Sequence, residues 1–418
     1  MALEVIMNKL TVQQTAERWN ISVRRVQDYC RQGKIPGAQR IGTNWLIPAD
    51  AVRPMDGRRK AAKDEAERDV PMPRKCPFLY MTDLYSEAGT ADKCIISLSG
   101  NPEAQALFAA EIAYSRGEID KVYKYAKYFL EKHSGFYAVL AGGMLLAQCA
   151  LWAGDINMWQ LARKHICEAH ARSNTDRDII ALSLGVIDSA IRSTQDFPKW
   201  FKSGCFENLP VDAHYAAKIY YVKHLIVMAQ QLASGEIKYP DLRGLSLMRS
   251  IPYVVEPMIA DAVADKVILV EIYLRLLCAI ACHQVGNTDR AIFHIDKAIE
   301  DCLEDGLYGP LVEHRRQLGV ILDDRLSAAD PQAFKKVKEL YKRMQTGWTT
   351  IHNAVLERTV SASLTIRERE VARLAVFGLN DKQIANRFNI TENAVKNILD
   401  AAMEKTDVNK RGDLAFYI

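Results

Sequence analysis

Residues 364–388 read LTIREREVARLAVFGLNDKQIANRF, and residues 389–405 continue NITENAVKNILDAAMEK. Thr365 and Glu368 have the T-x-x-E spacing of a capping box, and Val371, Leu374, Ala375 and Leu379 follow at helical spacing, so a capped, one-sided helix is expected. Gly378 can take the left-handed conformation that ends it. Asn380 then caps a second helix with Ile384, Ala385 and Phe388 inward. Asn389, Ile390 and Thr391 make a tight turn, and a third helix buries Val395 and Leu399 against the second. Two short helices crossing steeply need a small residue at the contact, and Ala385 supplies it. The unit is a helix-turn-helix, whose second helix can enter a major groove.

The pattern LT-x-REREV, GL-x-x-KQIA, I-x-x-x-AVKN, EK-x-x-V-x-x-R-x-DL resembles the LuxR-type DNA-binding domain of bacterial regulators, a four-helix unit. The resemblance implies double-stranded DNA as a partner, with Thr391, Asn393, Lys396 and Asn397 facing bases and Lys382 and Lys405 near phosphates. It also makes the C-terminal helix, within Arg411 to Ile418, a candidate homodimer contact. Ala394 and Thr406 depart from the family, which usually has Thr and Leu there. From Leu364 to Ile418 there are nine Lys/Arg and eight Asp/Glu. Non-specific DNA affinity, which scales with phosphates neutralised, is therefore expected to be low at this end.

The first fifty residues repeat the same skeleton. From Ala16, the apolar residues Trp19, Ile21, Val26 and Cys30 stand at offsets of three, five, ten and fourteen; from Ala385, the same offsets give Phe388, Ile390, Val395 and Leu399. The turns agree as well, Asn20-Ile21-Ser22 beside Asn389-Ile390-Thr391, and Thr11 with Gln14 has capping-box spacing. After the second helix, Lys34 to Gly37 form a stop, Ala38 to Ile41 a short strand, Gly42 to Asn44 a turn and Trp45 to Ile47 a returning strand, which together make a wing. The segment resembles the winged helix-turn-helix of the MerR and excisionase superfamily. By that resemblance Ser22, Arg24, Arg25 and Gln27 face DNA from the helix, and Arg40, Thr43 and Asn44 from the wing. Adjacent helical residues diverge by about 100°, so Arg24 and Arg25 do not both reach bases. Met1 to Lys75 carries fifteen Lys/Arg and nine Asp/Glu, a local basic excess.

The 418-residue chain is too long for one core; 49% apolar and 25% charged residues are those of a folded globular protein, and a net charge of +4 confines any nucleic-acid contact to local patches. Residues 53–75, charged and proline-rich, read as a linker. The start lacks a basic, apolar leader, and no eighteen-residue apolar stretch is expected to span a membrane, so a cytoplasmic protein without membrane contact is the expectation. Nine cysteines, odd and scattered, fit a reducing compartment.

From Pro102 to about Gln345 the pattern is helical. In three segments an apolar helix ends at Gly117, Gly154 or Gly286, an acidic or amide residue follows, and a second amphipathic helix begins. Gly117 and Gly154 are 37 residues apart, near the period of a helix-pair repeat. The middle thus resembles a degenerate tetratricopeptide-like array. Ser193–Pro210 and Tyr239–Pro257 are expected to be longer connections, and Cys94–Leu98 reads equally as strand or helix. The arrangement is similar to MalT-like activators without their ATPase, since no G-x-x-x-x-G-K-[ST] loop occurs and ATP is not implied. Cys278, Cys282 and His283 have a spacing that can hold a metal, but their apolar neighbours favour buried thiols. No metal, cofactor or catalytic set is expected. Tyr123, Tyr125 and Tyr128, and Trp152 with Trp159, read as repeat packing.

A mainly α chain is expected: a winged helix-turn-helix at 1–52 with a small β-hairpin, a linker at 53–75, a helical-repeat sensor or docking domain at 76–360, and a LuxR-type domain at 361–418. Together these predict a non-enzymatic transcriptional regulator whose repeat domain senses an unidentified ligand or protein. The alternative is an interaction scaffold whose terminal domains dimerise or dock partners.

Overall fold

A computed structural model describes residues 9–19, 21–41, 44–49, 51, 85–132, 135–193, 197–235, 237–357, 364–406 and 408–418. The segment read as a linker lies outside them. The chain divides into two units, Met1–Val70 and Pro71–Ile418.

In the first unit, β1 (Lys9–Thr11) leads into α1 (Val12–Trp19) and α2 (Val23–Arg31), and β2 (Gln39–Ile41) and β3 (Asn44–Pro48) follow. The capping box forms: Gln14 N–H donates to Thr11 Oγ1 at 3.3 Å, and Thr11 N–H to Gln14 Oε1 at 2.9 Å. The sheet has three antiparallel strands in the order β1-β3-β2 rather than the two of the expected hairpin. Leu10 pairs with Ile47, so β1 satisfies the edge of β3 that a bare hairpin leaves open. Ala16, Trp19, Val26, Cys30, Tyr29, Ile35 and Ile47 form its core.

The second unit is helical. Its array comprises α3 (Ala91–Ser97), α4 (Pro102–Ser115), α5 (Ile119–Lys132), α6 (Phe136–Ala153), α7 (Ile156–Cys167), α8 (Asn174–Ala190), α9 (Lys199–Lys202), α10 (His214–Ser234), α11 (Gly244–Ala264), α12 (Ile268–Gln284), α13 (Thr288–Asp305), α14 (Tyr308–Leu318), α15 (Val320–Ala329) and α16 (Pro331–Leu356). The repeat punctuation holds. Gly117, Gly154 and Gly286 have φ of 74°, 70° and 89°, a conformation that favours glycine. Asp155 and Asn287 then cap the following helices through the N–H groups of Met158 and Arg290.

Three expectations are corrected or resolved. Cys94–Leu98 belongs mostly to helix α3. The segment expected to break at Tyr239–Pro257 is instead crossed by α11, with Pro252 and Pro257 inside it. A helix-interior proline costs about 3 kcal/mol, and the buried stripe Met248, Ile251, Val255, Ile259 and Ala262 offsets that locally unfavourable choice. Helix α6 is eighteen residues long and apolar enough to cross a membrane by length and composition, contrary to the sequence expectation, but 72% of it is buried inside the fold.

Helix α16 closes the array by returning onto its start. Gly347 is so near α6 that a Cβ there would lie 2.4 Å from the Leu151 carbonyl oxygen. Gly309 of α14 also approaches backbone, with a notional Cβ 2.8 Å from the Tyr114 carbonyl oxygen. Trp348 Nε1 donates to the Ala190 carbonyl at 2.7 Å, tying α16 to the end of α8. Helix α16 here forms part of the wall of a partly open cavity of about 150 Å³.

The chain ends with α17 (Ile366–Val376), α18 (Asp381–Phe388), α19 (Glu392–Thr406) and a 3-10 turn, Arg411–Phe416. Their core is Leu364, Val371, Leu374, Ile384, Ala385, Val395, Leu399, Ala402, Leu414 and Ile418.

Candidate nucleic-acid interfaces and the cavity

The two helix-turn-helix units share more than spacing. Ile21 N–H donates to the Ala16 carbonyl at 3.0 Å, and Ile390 N–H to the Ala385 carbonyl at 3.0 Å. The same backbone bond thus fixes each turn and the start of each second helix. Asn389 adopts φ 50°, which turns the chain out of α18.

On α19, Thr391, Asn393, Lys396 and Asn397 are all exposed, while Val395 and Leu399 on the opposite face are buried. Thr391 Oγ1 accepts from Ala394 N–H at 3.1 Å and so caps the helix. Lys382 is exposed, whereas Lys405 is held by Glu368 at 2.8 and 2.9 Å. In the N-terminal unit Ser22, Arg24 and Arg25 are exposed, Gln27 is half-buried, and Arg40 and Asn44 are exposed on the β2-β3 hairpin. Thr43 lies outside the described residues. Sequence reading missed Val23, 42% exposed at the start of α2, where an apolar side chain suits a thymine methyl group.

The C-terminal unit is docked on the array through the face of α17 remote from its own core. Arg373 donates through Nη1 to the Gln317 carbonyl at 3.0 Å and through Nη2 to the Arg316 carbonyl at 3.2 Å. Arg387 reaches the Gln284 carbonyl at 3.3 Å, and Arg192 the Ile418 carbonyl at 2.6 Å. Phe377 is buried in the core of the array. Arg373 is pushed down to about 9 by burial first and then by Arg192 and Arg369. Leu414 and Ile418, the apolar tail considered for dimerisation, are buried within the unit.

The cavity draws its wall from α4, α6, α7, α8, α10, α12, α14 and α16. Glu313 accepts from the Tyr114 hydroxyl at 2.8 Å, the Tyr273 hydroxyl at 3.2 Å and Lys223 Nζ at 3.4 Å. Burial pulls this carboxyl up, but Lys223, His314 and the hydrogen bonds outweigh it and hold the group below its usual range. Arg316 stacks on Trp348, its guanidinium carbon 4.1 Å from the ring centre. Trp159, read from sequence as packing, is buried as expected and lines the cavity.

Of the residues weighed for a metal, His283 faces Glu370 at 3.8 Å rather than the two thiols. Among the described residues, Glu256, Cys278 and His294 bring ligand atoms within 4.8 Å of one another. Arg290 grips both oxygens of Glu256 at 2.5 Å, so a cation would have to displace a guanidinium.

Residues 10–53 match a helix-turn-helix domain family, and residues 362–418 match the family of bacterial regulatory proteins, luxR family. No curated protein and no solved structure matches the chain. Two DNA-binding helix-turn-helix domains in one chain support a DNA-binding transcription regulator, and the luxR-family match points to a regulator rather than an enzyme.

Proposed function

We propose that the protein is a sequence-specific transcriptional regulator that acts on double-stranded DNA in the cytoplasm. It has four functional parts: a reader at 1–52, a tether at 53–75, a sensing array at 76–360 and a second reader at 361–418. The observation that carries this is the repeated helix-turn-helix skeleton, each copy with an exposed polar face on its second helix. Ser22, Arg24, Arg25 and Gln27 contact bases or phosphates from α2 and its N-terminus, with only one of the two arginines on a base, and Arg40, Thr43 and Asn44 contact DNA from the wing. Thr391, Asn393, Lys396 and Asn397 read bases from α19, with Lys382 and Lys405 toward phosphates. Engagement by both ends of one chain raises apparent affinity through effective concentration, which compensates the weakly basic C-terminal reader.

The array binds a small ligand or a protein partner and biases DNA binding through its contact with α17. An effector shifts such a balance only by its differential affinity for the docked and released arrangements.

The test is selection of bound genomic fragments by the full chain, by full-length Arg24→Ala and by full-length Lys396→Ala. A composite motif that loses one half in each variant is expected. If all three proteins enrich the same fragments, or none, the regulator reading fails and the scaffold alternative replaces it.

A further inference from the structure

Arg316 is 8% exposed, and its Nε, Nη1 and Nη2 find no hydrogen-bond acceptor among the described residues. It lines the same cavity as Trp159, whose buried indole N–H likewise has no acceptor among the described residues. A buried guanidinium without an acceptor is costly, and stacking on Trp348 offsets only part of that. The surroundings increase the cost. Burial first, and then Arg369 and Arg192, push Arg316 far below its usual value. Of the two carboxylates in the same wall, Glu111 and Glu313, the latter is engaged by Lys223 and two tyrosine hydroxyls. Two donors that lack acceptors among the described residues therefore line one mostly apolar chamber, whose wall holds three cations, Arg192, Lys223 and Arg316, against two carboxylates, Glu111 and Glu313.

We propose that this cavity binds a small organic carboxylate with a compact apolar body, its carboxylate paired with the Arg316 guanidinium and hydrogen-bonded by the Trp159 N–H. The inference rests on the sensing role proposed for the array and specifies the chemistry of its ligand. A planar carboxylate matches the fork of a guanidinium. A chamber of about 150 Å³ accommodates a body the size of benzene. The side chain of Arg316 faces the chamber while its carbonyl oxygen accepts from Arg373 of α17, so one residue joins the ligand site to the docked reader. A bound negative charge relieves the repulsion among Arg192, Arg316, Arg369 and Arg373. The ligand therefore favours the docked arrangement.

Benzoate, its neutral isostere benzamide and inorganic phosphate serve as probes on the full chain, read by calorimetric titration and by amide exchange of residues 366–376. Benzoate is expected to bind and slow exchange in α17, and benzamide is expected not to. Arg316→Met, which removes an uncompensated buried charge and keeps the stem, is expected to stay folded and to weaken benzoate by about tenfold or more. Trp159→Phe, which keeps a ring and removes the N–H, is expected to weaken it less. Thermal unfolding of each variant checks its folding. Equal affinity of R316M and the native chain for benzoate overturns the proposal. So does equal response to benzamide, binding of phosphate but not benzoate, or no response at millimolar concentration. DNA affinity of the full chain is measured in parallel: benzoate binding that leaves it unchanged retains the anion site and rejects the sensing role.

Discussion

Val320 N–H donates to Glu370 Oε1 at 2.9 Å, so a carboxylate of the luxR-type unit caps the N-terminus of an array helix. An acceptor with negative charge at that position complements the helix dipole. Gly319 makes the approach possible: its φ of 60° favours glycine, and a Cβ there would sit 1.9 Å from Glu370 Oε1. Gly319→Ala is expected to release α17, seen as faster amide exchange over residues 366–376 with α6 and α12 still protected. Glu370→Gln keeps the shape and loses the charge, so a smaller loss of about 1 kcal/mol is expected in thermal unfolding. Unchanged exchange in Gly319→Ala would show that α17 docks without this cap.

Lys396 and Asn397 occupy the exposed face of α19 and are expected to affect DNA binding differently. Asn397→Ala should cost about 1–3 kcal/mol on the preferred site and relax specificity there. Lys396→Ala should also relax specificity and, because it removes a positive charge held against the polyanion, lower the slope of log affinity against log salt by about 1. Fluorescence anisotropy at several salt concentrations separates the two. Lys405, held by Glu368, should contribute less than Lys382.

Closure of the array depends on Gly347. In an isolated helix, Gly to Ala stabilises by about 1 kcal/mol. Here the new methyl would meet the carbonyl oxygens of Leu151 and Trp152 at 2.4 and 2.6 Å, and backbone cannot step aside as a side chain can. Forced separation typically costs about 1–3 kcal/mol. Gly347→Ala is therefore expected to lower the urea midpoint, and a raised midpoint would show that α16 does not press on α6.

Burial between Phe197 and Phe201 pushes His224 down to about 4, with Lys202 adding to the effect. Its unfolded value is about 6.5, so the native state favours the neutral ring. The associated stability is present above pH 6.5 and is lost as pH falls toward 4, on the order of 3 kcal/mol across that window. His224→Phe should flatten this part of the stability profile relative to the native chain, measured by urea unfolding at several pH values. Parallel profiles for the two proteins would rule out His224 as a contributor.

The two readers were legible because a helix-turn-helix fixes few positions and fixes them tightly. Ala16 and Ala385, and the residues three to fourteen positions beyond them, are set by one turn and one crossing. The glycine punctuation of the array was legible for a similar local reason. Strand β1 was not, because three residues carry hardly more than one period of alternation. Docking was hidden by composition. Arg369, Glu370 and Arg373 read as the solvated side of α17, yet they are 1%, 4% and 4% exposed, partnered by carbonyls and an N–H fifty or more positions earlier or by the local backbone. The cavity was hidden likewise: Trp159 and Arg316 line one chamber although they stand on helices far apart in sequence, a juxtaposition that helical periodicity does not encode.

The array grips α17 while the polar side of α19 stays in solvent. On the proposed function, a contact of this kind works as a clamp on aim rather than as a mask. A clamped reader holds one bearing relative to the array, and a released one samples many. The effector would then be registered less in whether the second half-site is bound than in how strictly its spacing and phase along the duplex must be kept.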